Sequence, residues 1–474
     1  MFIHSGSKIK NRMIVSLAVV AASLALTGCE VKLVLPGKED ADISEIEQTA
    51  PAAVPVISIN DGIEPVITPT PEPVEAEFEE IYDPVGKQYS VKTASPDCVT
   101  IAFAGDVGFA AGYATINKYR ANGSDIHNSM DEGVLGIMQS ADIMMVNNEF
   151  PYSDRGSPTP DKTFTFRADP KDVHIMKDMG VDIVGIANNH AYDYGPDALI
   201  DTIDTLNDAQ LPFVGAGKNL KEAMSPAYFH ANGHVISVVA ATQIERYGNP
   251  DTKEATEDSP GVLRTLDPKK TVAAIEVAAA NSDFTVMFVH WGTESTDLVE
   301  KSQRDLAKAY VDAGADLIIG AHSHCLQGVD YIDTVPVFYS LGNFWFNSKT
   351  LDTCIVRATL DENCSLAKVE FIPCIQRGSC VVSASDSEKA RILEYMRGIS
   401  NYAEFADDGT VTRSDSDHNT QNGQNTSPAR KAEKPEEAQG AEDVLQQLQQ
   451  MTEQAAAPQT QPEAEALPDW AVAQ

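Results

Sequence analysis

The chain is short of positive charge. Its 474 residues carry 35 Lys and Arg against 70 Asp and Glu, a formal net charge of −35. Nucleic-acid backbones are gripped by clustered Lys and Arg that release counterions, and no basic stripe is present to do this, so a nucleic-acid partner is excluded. The seven cysteines never form a Cys-x-x-Cys pair, which argues against a thiolate zinc site. A Gly-x-Ser-x-Gly elbow is missing too, and with it the usual signature of a serine hydrolase. Gly215-Ala216-Gly217-Lys218-Asn219 lacks the Walker spacing and the Ser or Thr after its lysine, so it reads as a tight turn before a helix. After residue 29 no apolar run is long enough to span a bilayer. What is present is ordinary for a globular protein: 43% hydrophobic and 22% charged residues, enough to bury a substantial core.

The first residues set an expected compartment. Lys8, Lys10 and Arg12 precede an uncharged, mostly apolar run from Met13 to Leu26, which leads into Leu26-Thr27-Gly28-Cys29. This has the layout of a secretion signal. The Leu-Thr-Gly-Cys box resembles the bacterial lipoprotein cleavage site, which implies lipidation at Cys29, removal of residues 1–28, and anchoring on the extracytoplasmic face of the cell membrane. Each buried methylene of an acyl chain adds about 0.8 kcal/mol, so several chains hold a protein without a transmembrane helix.

The acidity is unevenly spread. Residues 30–95 hold fourteen acidic and four basic side chains, and prolines that include those at 51, 55, 65, 69, 71 and 73. Residues 401–474 again hold fourteen against four, in a stretch rich in Gln, Ala, Ser and Asn. Neither has the branched and aromatic side chains needed to offset the entropy of ordering. The expected plan is therefore a signal over 1–28, an acidic Pro-rich tether over 29–95, one folded domain over 96–400, and a disordered acidic tail over 401–474.

Within the central region a single local pattern recurs. A short apolar run ends abruptly in small and polar residues: Val99 to Ala104 before Gly105-Asp106, Ile143 to Val146 before Asn147-Asn148-Glu149, and Ile183 to Ala187 before Asn188-Asn189-His190. Phe284 to Val289 leads to His290-Trp291-Gly292, and Leu317 to Ala321 leads to His322-Ser323-His324. Runs of this length fit buried strands. Helix-like stretches at Pro196 to Asp208, Lys269 to Ala280 and Glu300 to Ala313 lie between them, and the alternation predicts an α/β fold. Ligands in such sheets bind beyond the carboxyl ends of the strands. Asp106, Glu149, Asn189, His190, His290, His322 and His324 all fall there. Mixed oxygen and imidazole donors suit Mn, Fe or Zn, so metal or phosphate chemistry is the expectation. The Asn343-Phe344-Trp345-Phe346 run is read as core packing, with a sugar or polymer platform as the alternative.

These motifs, with Asp193 and Gly195 after His190, Glu294 after His290, and Ser340-Leu-Gly-Asn343-Phe-x-Phe346, occur in order from Val99 to Phe346. Together they resemble the CapA family of bacterial capsule-synthesis proteins, which is associated with poly-γ-glutamate and is similar in turn to the calcineurin-like metallophosphoesterases. The resemblance implies a four-layer α/β/β/α sandwich with a one- or two-ion site. It implies that Asp106 and Asn189 are metal ligands, that His290 and His322 serve one ion and His324 the other, and that His190 protonates a leaving group with Asp193 orienting it. Gly108 stands where that superfamily carries a first-motif His, and Asn147-Asn148-Glu149 replaces its Gly-Asp-x-x-Asp, so Glu149 takes the bridging role. Asn188, Glu294 and Asn343 are candidates for supporting positions. The implied partners are the membrane, an anionic polymer and membrane-bound capsule-synthesis subunits, and an acidic body meets such a polymer more readily through metal than through ion pairs. Two alternatives stand beside a capsule phosphoesterase: a non-enzymatic export or assembly subunit with a degenerate site, and a general extracellular metallophosphoesterase.

Overall fold

A computed structural model describes residues 80–244 and 252–415. The signal over 1–28, Cys29, most of the tether and most of the tail lie outside the described residues. Both limits of the folded region differ from the expectation. Tyr82–Asp83 and Gln88–Ser90 are strands that extend a sheet, and Ala403–Phe405 pairs with Val411–Arg413, so the folded region takes in residues 80–95 and 401–415. Their acidic, polar composition hides the few side chains that matter. Tyr89 packs against Phe229 at 5.5 Å between ring centroids, and Phe405 packs edge-on to Phe371 at 5.7 Å.

Lys87, between the first two strands, is 1% exposed. Its Nζ donates to the carbonyls of Phe213 at 3.2 Å and Glu222 at 3.3 Å and lies 4.4 Å above the Phe213 ring. Burial lowers its pKa to about 8, opposed by Glu222.

Two eight-stranded sheets form the body. In one, Val99–Val107, Ile143–Asn148, Ile183–Gly185 and Phe213–Val214 run parallel in that order. Leu351–Leu360, Leu366–Arg377 and Cys380–Ser383 extend it antiparallel beyond Val99–Val107. In the other, His234–Thr242, Phe284–His290, Leu317–Ala321 and Val335–Phe338 run parallel. Alternate residues of a strand point to opposite faces, and here both faces are apolar. Val286 and Phe288 join the large core shared with the first sheet, whereas Met287 and Val289 join a second cluster with Ile275 and Ala278 of helix Lys269–Ala280 and with Leu306 and Tyr310 of helix Lys301–Ala313. At the sheet-to-sheet contact, a Cβ added to Gly185 would touch the Phe288 ring at 3.2 Å.

On its other side, the first sheet meets Leu135 and Met138 of helix Glu132–Ser140 and Leu199, Ile203 and Leu206 of helix Pro196–Asp208. The result is a four-layer α/β/β/α sandwich. Among the described residues no helix is long and apolar enough to cross a membrane.

Candidate metal centre

Because the strands of both sheets that carry the motifs are parallel, their carboxyl ends bring the polar residues to one edge. Asp106 is the penultimate residue of Val99–Val107 and His290 is the final residue of Phe284–His290. Asn343 pairs in register beside Asp106. This pairing needs Gly105: a Cβ there would sit 1.9 Å from the Gly342 carbonyl oxygen, which accepts the Asp106 amide at 2.9 Å. The two sheets meet where the His322 amide approaches both Asp106 carboxylate oxygens, at 3.3 and 3.4 Å.

The side chains converge into two overlapping groups. Glu149, His290 and His322 offer ligand atoms within 4.8 Å of one another, and so do Asp106, Glu149 and His324. Glu149 belongs to both. His322 Nδ1 is 3.0 Å from His290 Nε2, which is 2.8 Å from Asn189 Oδ1. His324 Nδ1 is 2.8 Å from Asn343 Oδ1 and 3.4 Å from Asp106 Oδ2. Asn147 is the polar hub, donating to Asp106 Oδ1 at 2.8 Å and Glu149 Oε2 at 3.2 Å while its carbonyl accepts from Asn188 at 3.0 Å. Asn188 Oδ1 accepts the His190 backbone amide at 3.1 Å.

One atom in this network has no partner. Glu149 Oε1 is buried and unbonded, 3.6 Å from His290 Nε2 and 3.9 Å from His190 Nε2. An orphaned buried carboxylate oxygen costs about 1–3 kcal/mol or more, and a cation shared by the two groups would satisfy it. The electrostatics agree with the donor chemistry. Burial, then Asp106 and Glu294, hold Glu149 well above the usual carboxylate range. Burial, then the neighbouring imidazoles, hold His290 and His322 well below theirs. Burial acts the same way on His324, but Asp106, with Glu294 and Asn343, together outweigh it and raise the His324 pKa. The neutral imidazoles of His290 and His322, and a carboxylate in need of a counter-charge, are what a divalent cation requires. His322 and His324 also adopt positive φ, 96° and 56°. The residues present therefore fit one or two cations.

Beside this cluster His190 Nδ1 lies 2.7 Å from Asp193 Oδ2. Burial lowers the His190 pKa, against the pull of Asp193. Asp106, Glu149, Asn189, His190, Asp193, His290, His322, His324, Asn188 and Asn343 are thus brought together. Glu294 is exposed, close enough to influence Glu149 and His324 through space only. Phe344 and Trp345 are fully buried, whereas the Phe346 ring lies 4.9 Å from His324. A Cβ added to Gly108 would lie 2.7 Å from the Phe346 ring, so the aromatic fills the space a side chain at 108 would need. The Gly215–Asn219 stretch is a short strand followed by the Asn219 cap of helix Leu220–Met224. Sequence reasoning missed Lys162 and Phe166, which reach the site from a loop with no strand-end signal. The six cysteines among the described residues are unpaired.

Comparison with known proteins bears on the whole arrangement. The family model described as bacterial capsule synthesis protein PGA_cap matches residues 100–348. The chain is 31% identical over 335 residues to the PGA biosynthesis protein CapA of Bacillus subtilis (strain 168), covering 69% of this chain and 85% of that one. It is 33% identical over 274 residues to the capsule biosynthesis protein CapA of Bacillus anthracis, covering 55% of this chain and 64% of that one. A probable polyglutamine synthesis accessory protein of Mycobacterium tuberculosis (strain ATCC 25618 / H37Rv) is 27% identical over 210 residues, 43% of this chain and 55% of that protein.

Proposed function

Since the chain belongs to the PGA_cap family of bacterial capsule synthesis proteins, we propose that it serves the synthesis or export of a poly-γ-glutamate-type capsule polymer. In this reading it is a lipoprotein held through Cys29 on the extracytoplasmic face of the cell membrane, and its body carries a metal-dependent phosphoesterase-like site. The observation that carries the site's chemistry is the unpartnered Glu149 Oε1, buried where two ligand groups overlap. Asp106, Glu149, Asn189, His290, His322 and His324 would hold one or two Mn, Fe or Zn ions. Bound there, such an ion supplies Lewis-acid polarisation of a phosphoryl oxygen. The protein's own contribution is positional and protonic. Asp193 holds the His190 ring by its Nδ1, leaving Nε2 on the side of Glu149, from which the doubly protonated ring would give its Nε2 proton to a leaving oxygen and return to the neutral Nδ1–H form. The partners proposed are the polymer, reached through metal, and membrane-bound synthesis subunits.

A second reading, a non-enzymatic assembly subunit, is favoured by one observation: the Phe346 ring takes the place of any side chain at Gly108. One experiment separates the two. The full chain is purified, its Mn, Fe and Zn are quantified, and hydrolysis of a chromogenic phosphodiester is followed for the wild type, His322→Ala and Asp106→Asn. Bound metal with turnover that both substitutions abolish supports the phosphoesterase. Bound metal without turnover supports the assembly subunit, and a protein that takes up no metal and shows no turnover overturns the phosphoesterase. The anchor is tested by fatty-acid labelling, which Cys29→Ser must abolish.

A further inference from the structure

Tyr152 and Ala168 pair as an isolated bridge, closed by Ala168 N to Pro151 O at 2.9 Å and Ser153 N to Ala168 O at 3.2 Å. The residues between them leave the sheet edge and return, forming a strap that lies on the turn carrying Asn189, His190 and Asp193. The contacts are close and directional. Thr159 N donates to the Asp193 carbonyl at 2.7 Å, and a Cβ on Gly156 would lie 1.9 Å from the Tyr194 carbonyl oxygen. The Phe166 ring covers His190 at 4.1 Å between centroids, and its amide donates to Asp193 Oδ2 at 2.6 Å.

The centre of this contact is a buried ammonium. Lys162 Nζ donates to Asp193 Oδ1 and to the Asn189 carbonyl, both at 2.6 Å, and its side chain is 6% exposed. Asp193, itself fully buried, therefore receives three donors: Lys162 Nζ, the Phe166 amide and His190 Nδ1. Taking a lysine and a carboxylate out of water is expensive, and an apolar strap of the same shape would hold the loop as firmly. A charge kept there is better explained by what it touches. It touches the backbone of one candidate ligand and the carboxylate that sets the ring of the candidate proton donor.

We propose that Lys162 is a positioning residue of the metal centre: it fastens the strap to the Asn189–Asp193 turn, and through Asp193 and the Asn189 carbonyl it fixes the His190 ring and the Asn189 carboxamide. This deepens the reading of the site given above and rests on its roles for Asn189 and His190. Lys162 needs no contact with substrate to act in this way. Removing its ammonium frees one side of Asp193, loosens the Phe166 lid and lets the His190 ring exchange tautomers.

The test uses the full chain as wild type, Lys162→Met, Lys162→Arg and Asp193→Asn. Three quantities are read at one pH: chymotryptic cleavage after Phe164, which is 52% exposed on the strap; the 15N signals of the His190 ring, assigned with His190→Gln; and Mn2+ affinity by calorimetry. Lys162→Met and Asp193→Asn are expected to raise cleavage about ten-fold, as local opening becomes easier, and to replace a single Nδ1–H tautomer of His190 by a mixture. Lys162→Met is expected to weaken Mn2+ about ten-fold, in the range for loss of a group that orients a ligand, and Lys162→Arg to restore most of each effect. Unchanged His190 signals in Lys162→Met overturn the proposal, even if cleavage rises, because a mere staple would loosen the strap without moving the tautomer. Should Lys162→Met fail to fold, Lys162→Gln, which keeps a donor without the charge, makes the same comparison. A wild type that binds no Mn2+ defeats the metal reading instead, and the nitrogen signals still decide the role of Lys162.

Discussion

The strands that build the site carry acids at both ends, and the two ends treat them differently. At the amino ends, Asp142, Asp182, Asp283 and Asp316 each stand one residue before a strand and accept a backbone amide from a neighbouring strand: Thr100 N at 2.7 Å, Met144 N at 2.8 Å, Val235 N at 3.0 Å and Thr285 N at 3.0 Å. At the carboxyl ends, Asp106 and Glu149 face imidazoles and carboxamides, and one Glu149 oxygen faces no donor. Residue type at a strand end is thus a poor guide by itself. What marks the functional edge is an unmet electrostatic need: an acid whose lone pairs the backbone leaves over, beside His290 and His322, whose imidazoles burial holds in the neutral form.

Five substitutions sharpen or break that contrast. The largest effect is expected from Glu149→Ala, which removes the carboxylate common to both ligand groups. Bound Mn or Zn should fall below roughly one tenth of the wild-type content by elemental analysis, and phosphodiester turnover should drop about 10³-fold or more, as for loss of a preorganised electrostatic group. The same loss of metal from Asp142→Asn would erase the distinction between the two edges.

His190→Asn separates holding metal from moving protons. Metal content should stay within about two-fold of the wild type, while kcat falls about 10²–10⁴-fold. A parallel collapse of metal content would make His190 a ligand.

Lys87 offers a buried charge outside the cation cluster. Its pKa is lowered to about 8 by burial, so the folded state binds fewer protons than the unfolded chain between pH 8 and the ordinary lysine value. Stability is therefore depressed below pH 8 and recovers as pH rises toward about 10.5. Lys87→Met removes this dependence: the gap between the variant's and wild type's unfolding free energies should change by about 3 kcal/mol from pH 7 to pH 10.5, measured by urea denaturation. A pH-independent gap refutes it. Metal content should be untouched.

The smallest effect belongs to Asp142→Ala. It strands the amides of Ala94 and Thr100 and should cost about 1–3 kcal/mol in chemical denaturation, with no change in bound metal.

Much of this was legible in the primary structure, and the reasons are local. Continuous apolar runs such as Phe284 to Val289 announce buried strands, and the helices Pro196–Asp208 and Lys269–Ala280 follow from patterns contained within their own lengths. Tyr82–Asp83 and Gln88–Ser90 were hidden because short strands at a sheet's rim bury few side chains, so acidic composition dominates the reading. Lys162 was hidden for a related reason. Nothing within its own neighbourhood gives it a partner, and its carboxylate lies 31 residues away along the chain.

By itself, the order of residues determined which chemical groups end the strands, because a strand's burial and its polar terminus are written in consecutive positions. Only the tertiary structure decided which of those groups meet. The parallel strands of two sheets had to pack with their carboxyl ends together before Glu149 became common to two ligand groups. The Phe346 ring had to fold over Gly108 before that position was closed to a ligand, and a loop had to return across the edge before Lys162 reached Asp193. Hydrogen-bond satisfaction and desolvation depend on neighbours distant in sequence, so the difference between a capped acid and a cation-seeking one exists only in the folded protein.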